Sequence, residues 1–285
     1  MKKSLVYFLI GVFAFSLYGV RPALAQAGTP PAGPVGEIRG TVTNQNSGKV
    51  VTESLEVMLH ALDMDYADKD MQHGQSRPDG TFGFARVPFD ANTQFAVMAI
   101  YDGVTYFSEP MPADMKSMQV AIDVPVYEST TDLMNIQVDQ MHVLFGFSED
   151  GLETKELYIV SNTGERTVKD VYDLGNDQFA ALQFPLPGDA DYVFFKPDNQ
   201  DRFVKRSGSF ADTYPVLPGN QPSQIMVSYL VPYSGERIYT YTAPVNIARI
   251  NFLLPEHADV SLKGSALFGP ESMTLQDGAS YRVYS

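Results

Sequence analysis

Apolar side chains recur at every second position along most of the chain, and only rarely at the three- and four-residue spacing of a helix. One set of alternate positions is mostly apolar in residues 38–42, 55–61 and 95–101. Successive side chains of a strand point to opposite faces, so this period indicates extended segments with one buried face. Turn-forming residues interrupt these segments at short intervals. Together the two signals predict an all-β protein built of β-sandwiches.

The first predicted domain, residues 36–128, is a seven-stranded sandwich. Its strands are expected at residues 38–42, 55–61, 73–77, 82–84, 95–101, 104–107 and 120–124. Asp102 and Gly103 form a two-residue hairpin signal between two of these strands. The tripeptide Pro78-Asp79-Gly80 predicts a tight turn, because proline presets φ and glycine accepts a positive φ.

Three stretches of this domain resemble the carboxypeptidase regulatory-like module, a family with a prealbumin-like or carbohydrate-binding-like sandwich fold. They are GEIRGTVTNQNSG at residues 36–48, SRPDGTFGFARVP at 76–88 and FAVMAIYDGVTYFS at 95–108. The resemblance implies an exported bacterial protein in which the Pro-Asp-Gly element is a structural hairpin. It implies no catalytic residues. Modules of this family stiffen, space or bind, and they are attached to many unrelated proteins.

A second predicted domain, residues 129–285, follows a polar junction and continues the alternation. Its strands are expected at residues 141–147, 157–160, 179–184, 192–195, 225–231, 238–242, 248–254, 260–268 and 281–285. Breakers such as Pro187-Gly188 and Pro218-Gly219 separate them. We expect a second, larger sandwich of about eight to ten strands, for which an immunoglobulin-like arrangement is one alternative.

The N-terminus has the features of a secretory signal peptide. Lys2 and Lys3 precede an apolar run at residues 5–20, and Ala23 and Ala25 supply the small residues of a cleavage site. The run is shorter than the roughly 20 residues of a membrane-spanning helix, which favours cleavage over anchoring. We therefore expect a signal peptide at residues 1–25, a Pro/Gly linker at residues 26–35, and no transmembrane segment after cleavage.

Composition and charge exclude several classes of function. The formal net charge of −14 argues against nucleic acid as a partner, because phosphate backbones are bound by basic surfaces. The 285 residues contain no Cys, which excludes disulfides, thiolate nucleophiles and iron-sulfur clusters.

No catalytic motif is present in the sequence. The four histidines, His60, His73, His142 and His257, are scattered without metalloprotease spacing. No G-x-S-x-G or S-x-x-K motif supplies an activated serine, and no glycine-rich loop is suited to a phosphate. We therefore expect a protein that is not an enzyme, with no catalytic residues.

Two clusters are candidate metal ligands. Asp63, Asp65, Asp68 and Asp70 lie within a segment expected to be a loop, and dense carboxylates are what Ca²⁺ prefers, although the spacing departs from an EF-hand. A solvated acidic loop is the alternative interpretation. The second cluster consists of thioethers that could hold Cu(I), or could simply fill gaps in a core. It comprises Met111, Met115 and Met118, with Met58, Met64, Met71 and His73 in the same domain.

Tyrosine pairs are candidates for ligand binding. Tyr239 and Tyr241 are two residues apart on one expected strand, and Tyr101 and Tyr106 flank the Asp102-Gly103 turn. Exposed tyrosine rows can stack on sugar rings or anchor a protein partner. Tyrosine also occurs in strands because of its β propensity alone.

The sequence thus predicts a secreted, non-enzymatic binding or structural module at the cell surface or in another extracytoplasmic space. Its expected partner is a protein or polysaccharide of the cell envelope, and no cofactor is expected apart from Ca²⁺ as a candidate. Carbohydrate binding, extracytoplasmic Ca²⁺ or copper binding, and an enzyme with carboxylate chemistry are the alternative functions.

Overall fold

The fold is all-β. The computed structural model of the chain describes residues 33–196, 201–219, 221–275 and 278–285, and within these ranges every regular element is a strand. No described element is a helix with the length and apolarity needed to cross a bilayer. The predicted signal peptide and most of the predicted linker lie outside the described residues. The prediction of an all-β sandwich protein is confirmed.

Ten strands build the first part of the fold. They are β1 (Val35–Asn44), β2 (Lys49–Val50), β3 (Glu56–Leu62), β4 (Asp68–Gln75), β5 (Thr81–Pro88), β6 (Gln94–Tyr101), β7 (Val104–Phe107), β8 (Met111–Pro112), β9 (Gln119–Ala121) and β10 (Val124–Val126). The number exceeds the predicted seven because β2 and β8 are two-residue strands and because the strand predicted at residues 120–124 is split into β9 and β10.

These strands form two sheets that face each other across one core. In the first sheet β1 is central, with β5 and β2 along one edge and the parallel strands β9 and β10 along the other. The second sheet has the order β4-β3-β6-β7, with β8 also paired to β6. Inward residues of both sheets, such as Ile38, Leu59, Phe95 and Val97, are fully buried between them.

The predicted hairpin and one strand boundary can be compared directly with the structure. Asp102 and Gly103 both have positive φ, 49° and 71°, which is the two-residue turn expected between β6 and β7. The strand predicted at residues 73–77 is wrong in its bounds, because β4 begins at Asp68. This edge strand is exposed at most positions, so it lacks the apolar period that identifies a strand.

The strands β9 and β10 separate where the chain passes over Gly40 of β1. A Cβ atom on Gly40 would lie 1.7 Å from the carbonyl oxygen of Ile122, so only glycine fits here. At the same point Asp123 Oδ1 accepts hydrogen bonds from the Thr41 backbone nitrogen (2.9 Å) and from Thr41 Oγ1 (2.7 Å). The carboxylate thereby replaces the strand pairing that is interrupted between β9 and β10.

The prediction of about eight to ten strands for the second part of the fold is wrong, because its described residues contain fifteen strands. They are β11 (Ser129–Thr130), β12 (Ile136–Ser148), β13 (Gly151–Asn162), β14 (Thr167–Val168), β15 (Tyr172–Gly175), β16 (Gln178–Ala180), β17 (Leu182–Pro185), β18 (Asp191–Lys196), β19 (Phe203–Arg206), β20 (Ser209–Asp212), β21 (Ser223–Val231), β22 (Asn246–Ile247), β23 (Ile250–Pro255), β24 (Glu271–Thr274) and β25 (Ser280–Tyr284).

A large sheet organises this part. Its order is β18-β21-β13-β12-β23-β25-β24, with β22 also paired to β12. The strands β12 and β13 form a long antiparallel hairpin at its centre. A three-stranded sheet, β17-β20-β19, packs over the inner face, where the rings of Phe184 and Phe210 lie 4.5 Å and 6.4 Å from the Tyr158 ring centroid. The result is a second buried core.

Two predicted strands of this part are wrong. Residues 238–242 and 260–268 contain no strand. In the first segment the alternate tyrosines do turn inward, but the backbone is irregular. Beside the second, the guanidinium of Arg282 donates to the carbonyls of Ala258 (2.6 Å) and Val260 (2.7 Å), so a side chain satisfies acceptors that a neighbouring strand would otherwise pair.

We expect the substitution Gly40→Ala to destabilise the protein by at least about 2 kcal/mol, because the added methyl group collides with backbone rather than with a movable side chain. Urea unfolding followed by circular dichroism measures the change. The matched control is Gly83→Ala on β5, where the nearest atom to an added Cβ is 3.6 Å away. Equal effects of the two substitutions would contradict this account of Gly40.

Candidate functional site

The most unusual polar group of the second core is the carboxylate of Glu156. It lies on the inward face of β13, with only 1% of the residue exposed. Its register partners are Val143 on β12 and Val227 on β21, both fully buried. An ionisable side chain in such surroundings is costly unless polar groups satisfy it.

Three tyrosine hydroxyl groups donate hydrogen bonds to the Glu156 carboxylate. Tyr158, two residues further along β13, donates a short hydrogen bond to Glu156 Oε2. Glu156 Oε1 accepts from Tyr229 of β21 (2.6 Å) and from Tyr239 (2.7 Å), which belongs to the irregular segment 232–245. The carboxylate therefore connects the paired strands β13 and β21 to the irregular segment 232–245.

The electrostatics of the cluster follow from its burial. Burial raises the pKa of the Glu156 carboxyl above its ordinary value, and the three hydroxyl donors oppose that change. Burial, and after it the charge of Glu156, also raises the pKa of the Tyr229 and Tyr239 hydroxyls, so the phenols keep their protons. The Tyr241 hydroxyl is buried next to the cluster and makes no hydrogen bond of good geometry to a described residue.

The segment 232–245 is attached to the sandwich at further points. The Tyr239 ring makes edge contacts with Phe145 and Phe252, at centroid distances of 6.0 Å and 5.9 Å. Arg237 forms a two-bond ion pair with Asp189, at 2.7 Å and 2.9 Å. The hydrogen-bonded cluster around Glu156 can therefore hold the irregular segment in one conformation over the core.

A buried ion pair stabilises the three-stranded sheet. Arg202 donates to both carboxylate oxygens of Asp212, at 2.8 Å and 2.6 Å, and to Ser223 Oγ of the large sheet at 3.0 Å. The guanidinium also lies over the rings of Phe203 and Tyr214. Because both charges are paired and buried, this group joins the two layers and presents no free charge to a ligand.

Polar contacts also join the two cores, which belong to one compact unit. The hydroxyl of Tyr106, on β7, lies 3.0 Å from the carbonyl oxygen of Tyr127 and 2.8 Å from Thr167 Oγ1 of β14. Asn46 bonds to the Glu165 carbonyl (2.7 Å) and accepts from the Glu128 nitrogen (2.7 Å). We call this set of contacts the junction network.

Charged residues extend the junction network at its surface. Lys169 lies 3.3 Å from the carboxylate of Asp102 in the β6–β7 turn, and Ser129 Oγ donates to the same carboxylate at 2.5 Å. Arg166 pairs with Glu128 at 2.9 Å. The turn predicted as a hairpin is therefore also a contact point between the two cores. The division into two domains at residue 128 stays a prediction.

The predicted ligand-binding tyrosines are turned inward. Tyr106 is 2% exposed, and Tyr101 packs partly against the first core, where its hydroxyl accepts from Asn44 at 3.3 Å. Tyr239 and Tyr241 pack partly against the second core. A tyrosine stacks on a sugar only through an exposed ring face, so this arrangement gives no support to a stacking role.

The four predicted metal-binding aspartates do not form one loop. Asp68 and Asp70 lie in β4, and only Asp63 and Asp65 precede that strand, so the expectation of a single loop is wrong. Asp63 Oδ1 accepts from the backbone nitrogens of Asp65 (2.8 Å) and Ala67 (2.9 Å), while Asp68 contacts His60. In the part of the chain that the structure describes, no three His, Asp or Glu side chains converge as metal ligands. Calcium binding stays a prediction without geometric support.

The predicted methionine cluster is divided in the structure. Met111 lies in β8, Met115 is 40% exposed, and Met118 packs partly against the first core. By contrast, Met58 and His73 are direct register partners on β3 and β4. Copper binding by the whole set stays a prediction.

Glu156 and its partners Tyr158 and Tyr229 were missed in the sequence. One signal was available: in the segment Leu152 to Val160, Glu156 occupies the same phase as the apolar residues that face the core. An acidic residue in the inward phase of a strand indicates a buried carboxylate that needs donors. Tyr239 was predicted to bind a ligand, but nothing in the sequence identifies it as a partner of Glu156, since that contact depends on an irregular segment.

Comparisons with known proteins do not assign the chain to a family. No family model matches the chain, and no curated protein matches it significantly. An M1 zinc metallopeptidase from Deinococcus radiodurans is similar over 53% of this chain and 38% of that chain, with 11% identity and a TM-score of 0.28. The major pilins SpaD and SpaA from Corynebacterium diphtheriae are similar over 69% of this chain. Their TM-scores are 0.25 and 0.23, their identities 8% and 10%, and 57% and 58% of their own lengths are covered. The chain therefore spans less than two thirds of each of these proteins.

We expect Glu156 to make the free energy of unfolding fall as the pH rises above 4.5. The unfolded carboxyl has an ordinary pKa near 4.5 and loses its proton there, whereas the folded carboxyl has the higher pKa and keeps it. This group's stabilisation is thus fully present below pH 4.5 and is lost as the pH rises through the folded pKa. Urea unfolding of wild type and Glu156→Gln, at pH values from about 4 to about 8, measures the difference between them.

The control for this experiment is Glu153→Gln, an exposed residue of the same strand that pairs with Lys155. The wild type minus Glu156→Gln difference should decrease with pH, while the corresponding Glu153→Gln difference should not. A Glu156 difference that is constant or increases with pH would contradict the raised pKa.

Proposed function

We propose that the chain is a non-enzymatic structural or binding module that works outside the cytoplasm, at the cell surface or in another extracytoplasmic space. The observation that carries this proposal is the junction network, which holds the two cores together through a buried hydrogen bond between Tyr106 and Thr167. A fixed joint between two sandwiches is suited to spacing or presenting a partner rather than to closing on a substrate.

The buried acidic side chains support the same function, because their partners all lie within the fold. The carboxylate of Glu156 is satisfied by tyrosines of its own core, and Asp212 by Arg202. In the described ranges these buried charges are all committed to the fold. Groups that perform catalysis need access to a substrate, which Glu156 and Asp212, each 1% exposed, do not have.

We further propose that the first sandwich is a carboxypeptidase regulatory-like module and that residue 128 separates two domains. The Pro-Asp-Gly turn supports the first part: Gly80 has a φ of 77°, and Asp79 Oδ1 accepts from the Thr81 nitrogen (3.0 Å) and Thr81 Oγ1 (2.6 Å). The partner would be a protein or polysaccharide of the cell envelope. The inward tyrosines give no support to the carbohydrate alternative.

We expect the joint between the cores to be rigid, and spin labels can test this. Because the chain has no Cys, the pair Asn92→Cys and Lys155→Cys labels one exposed site near each core. Electron–electron double resonance on the full chain should give one narrow distance distribution. Adding Tyr106→Phe and Thr167→Val removes the buried hydrogen bond and should broaden it.

The control for the joint is Thr105→Val, an exposed neighbour on β7, which should leave the distribution narrow. A broad distribution in the otherwise unmodified chain would refute the rigid module and indicate a flexible tether. An unchanged width in the Tyr106 and Thr167 variant would show that the buried hydrogen bond does not fix the joint.

Export can be tested by fractionating bacterial cells that produce the full chain. We expect an extracytoplasmic polypeptide whose first residue is Gln26, because Ala23 and Ala25 supply the small side chains of a cleavage site. Replacing Ala25 by Phe should leave the N-terminal segment attached. Recovery of the unprocessed chain from the cytoplasm would contradict the proposed location.

A further inference from the structure

One face of the first sandwich carries an unusual set of side chains. Along β3, Val57 and Leu59 point into the core and are 1% exposed, so the alternate residues Met58 and His60 point to the outer face of the sheet. The neighbouring strands β4 and β6 place more sulfur and imidazole groups on this same face.

The strand register defines which side chains are neighbours. Met58 lies directly opposite His73 on β4 and directly opposite Met98 on β6. One residue pair further along the sheet, His60 lies opposite Met71 on β4. Side chains at directly opposite positions, such as Met58 and Met98, have Cβ atoms about 4.5–5.5 Å apart, and diagonal neighbours, such as His60 and Met98, about 7–8 Å apart. Long thioether and imidazole groups can reach a common ion across both spacings.

His60 has the environment of a prepared ligand. Its Nδ1 lies 2.9 Å from Asp68 Oδ1, and its side chain is 12% exposed. Its Nε2 is buried and has no hydrogen-bond partner among the described residues. Metal-binding histidines commonly hold one ring nitrogen against a carboxylate, which directs the other nitrogen to the metal. An unpartnered buried nitrogen otherwise costs free energy.

The residues around His60 favour a soft metal ion, and the site is accessible from solvent. The ring of Phe107, the residue opposite Met98 on β7, lies 6.1 Å from the His60 ring and gives the site an apolar side. Met71 is 51% exposed, and the His73 side chain is 67% exposed with its Nδ1 3.9 Å from Glu56. Thioether and imidazole donors suit Cu(I), whereas Ca²⁺ and Mg²⁺ require oxygen ligands.

We propose that this outer face binds one Cu(I) ion through the thioethers of Met58 and Met98 and the Nε2 atom of His60. Met71 and His73 lie beside these three ligands at the more exposed edge, and Asp68 orients His60. The chain contains no Cys, so no thiolate competes for the ion. This site is independent of the proposed structural function, and either can fail without the other.

The test is an anaerobic competition for Cu(I) against bicinchoninate, using the full chain. We expect one tightly bound ion per chain. Met58→Leu combined with Met98→Leu, which preserves side-chain volume, should weaken binding by at least about 100-fold, and Asp68→Asn by about 10- to 100-fold. Met134→Leu is the matched control, since Met134 is 79% exposed in the second part of the chain and should not alter affinity.

A second measurement does not depend on the folding of any variant. Methyl NMR spectra of the wild-type chain, titrated with Ag(I) as a redox-inert substitute, should show the Met58 and Met98 signals shifting while the Met134 signal stays fixed. No retention of Cu(I) against bicinchoninate, or equal loss of affinity in the Met134→Leu control, would overturn the proposal. Unshifted Met58 and Met98 signals at saturating Ag(I) would also overturn it.

Discussion

The burial of one carboxylate, Glu156, constrains the larger sandwich more than any other single interaction. A charged or polar group on the inward face of a sheet is tolerated only when donors surround it, and here the donors come from β13, β21 and the segment 232–245. The requirement to satisfy Glu156 therefore determines where the irregular segment lies. Aromatic contacts of Tyr239 with Phe145 and Phe252 then fill the space around it.

The same principle operates where the two cores meet. Tyr106 is a core residue of the first sandwich, and its hydroxyl bonds both to the Tyr127 carbonyl beside that core and to Thr167 in the second part of the chain. Because the hydroxyl is buried, its bonds must be made inside the protein, and the bond to Thr167 can be made only with the second part of the chain in place. Packing and polar satisfaction thus act together: the rings supply the buried area, and their hydroxyl groups determine which segments face each other.

Much of the fold could be predicted from the sequence, because alternation is a local property. The strands around Ile38, Leu59 and Phe95 follow directly from their period, and the Asp102-Gly103 turn follows from the need for two positive φ angles. The bounds of β4 could not be predicted, because it is a polar edge strand without an apolar period. The strand predicted at residues 238–242 is also wrong, because alternating tyrosines there face the core from a segment that pairs with no strand.

The candidate sites were harder to predict, because they depend on which strands are neighbours. The sequence contains 34 acidic residues, and only the position of Glu156 in the inward phase of β13 distinguishes it from the others. Likewise, Met58 and His73 were recognised as members of a methionine-rich set, but Met98 and His60 join them only through the register of β3 with β4 and β6. Register between distant segments is a tertiary property that composition and local spacing do not contain.

A buried carboxylate held by three phenols thus organises the larger sandwich. The most direct measurement is a carbon-13 NMR titration of the Glu156 side-chain carboxyl in the intact folded chain. We expect the Glu156 carboxyl to titrate with a midpoint above the ordinary value of 4.5, because burial disfavours the charged form more than the three hydroxyl donors favour it. A midpoint at or below 4.5 would contradict this expectation, since the carboxyl would then behave as a solvated group or one dominated by its donors.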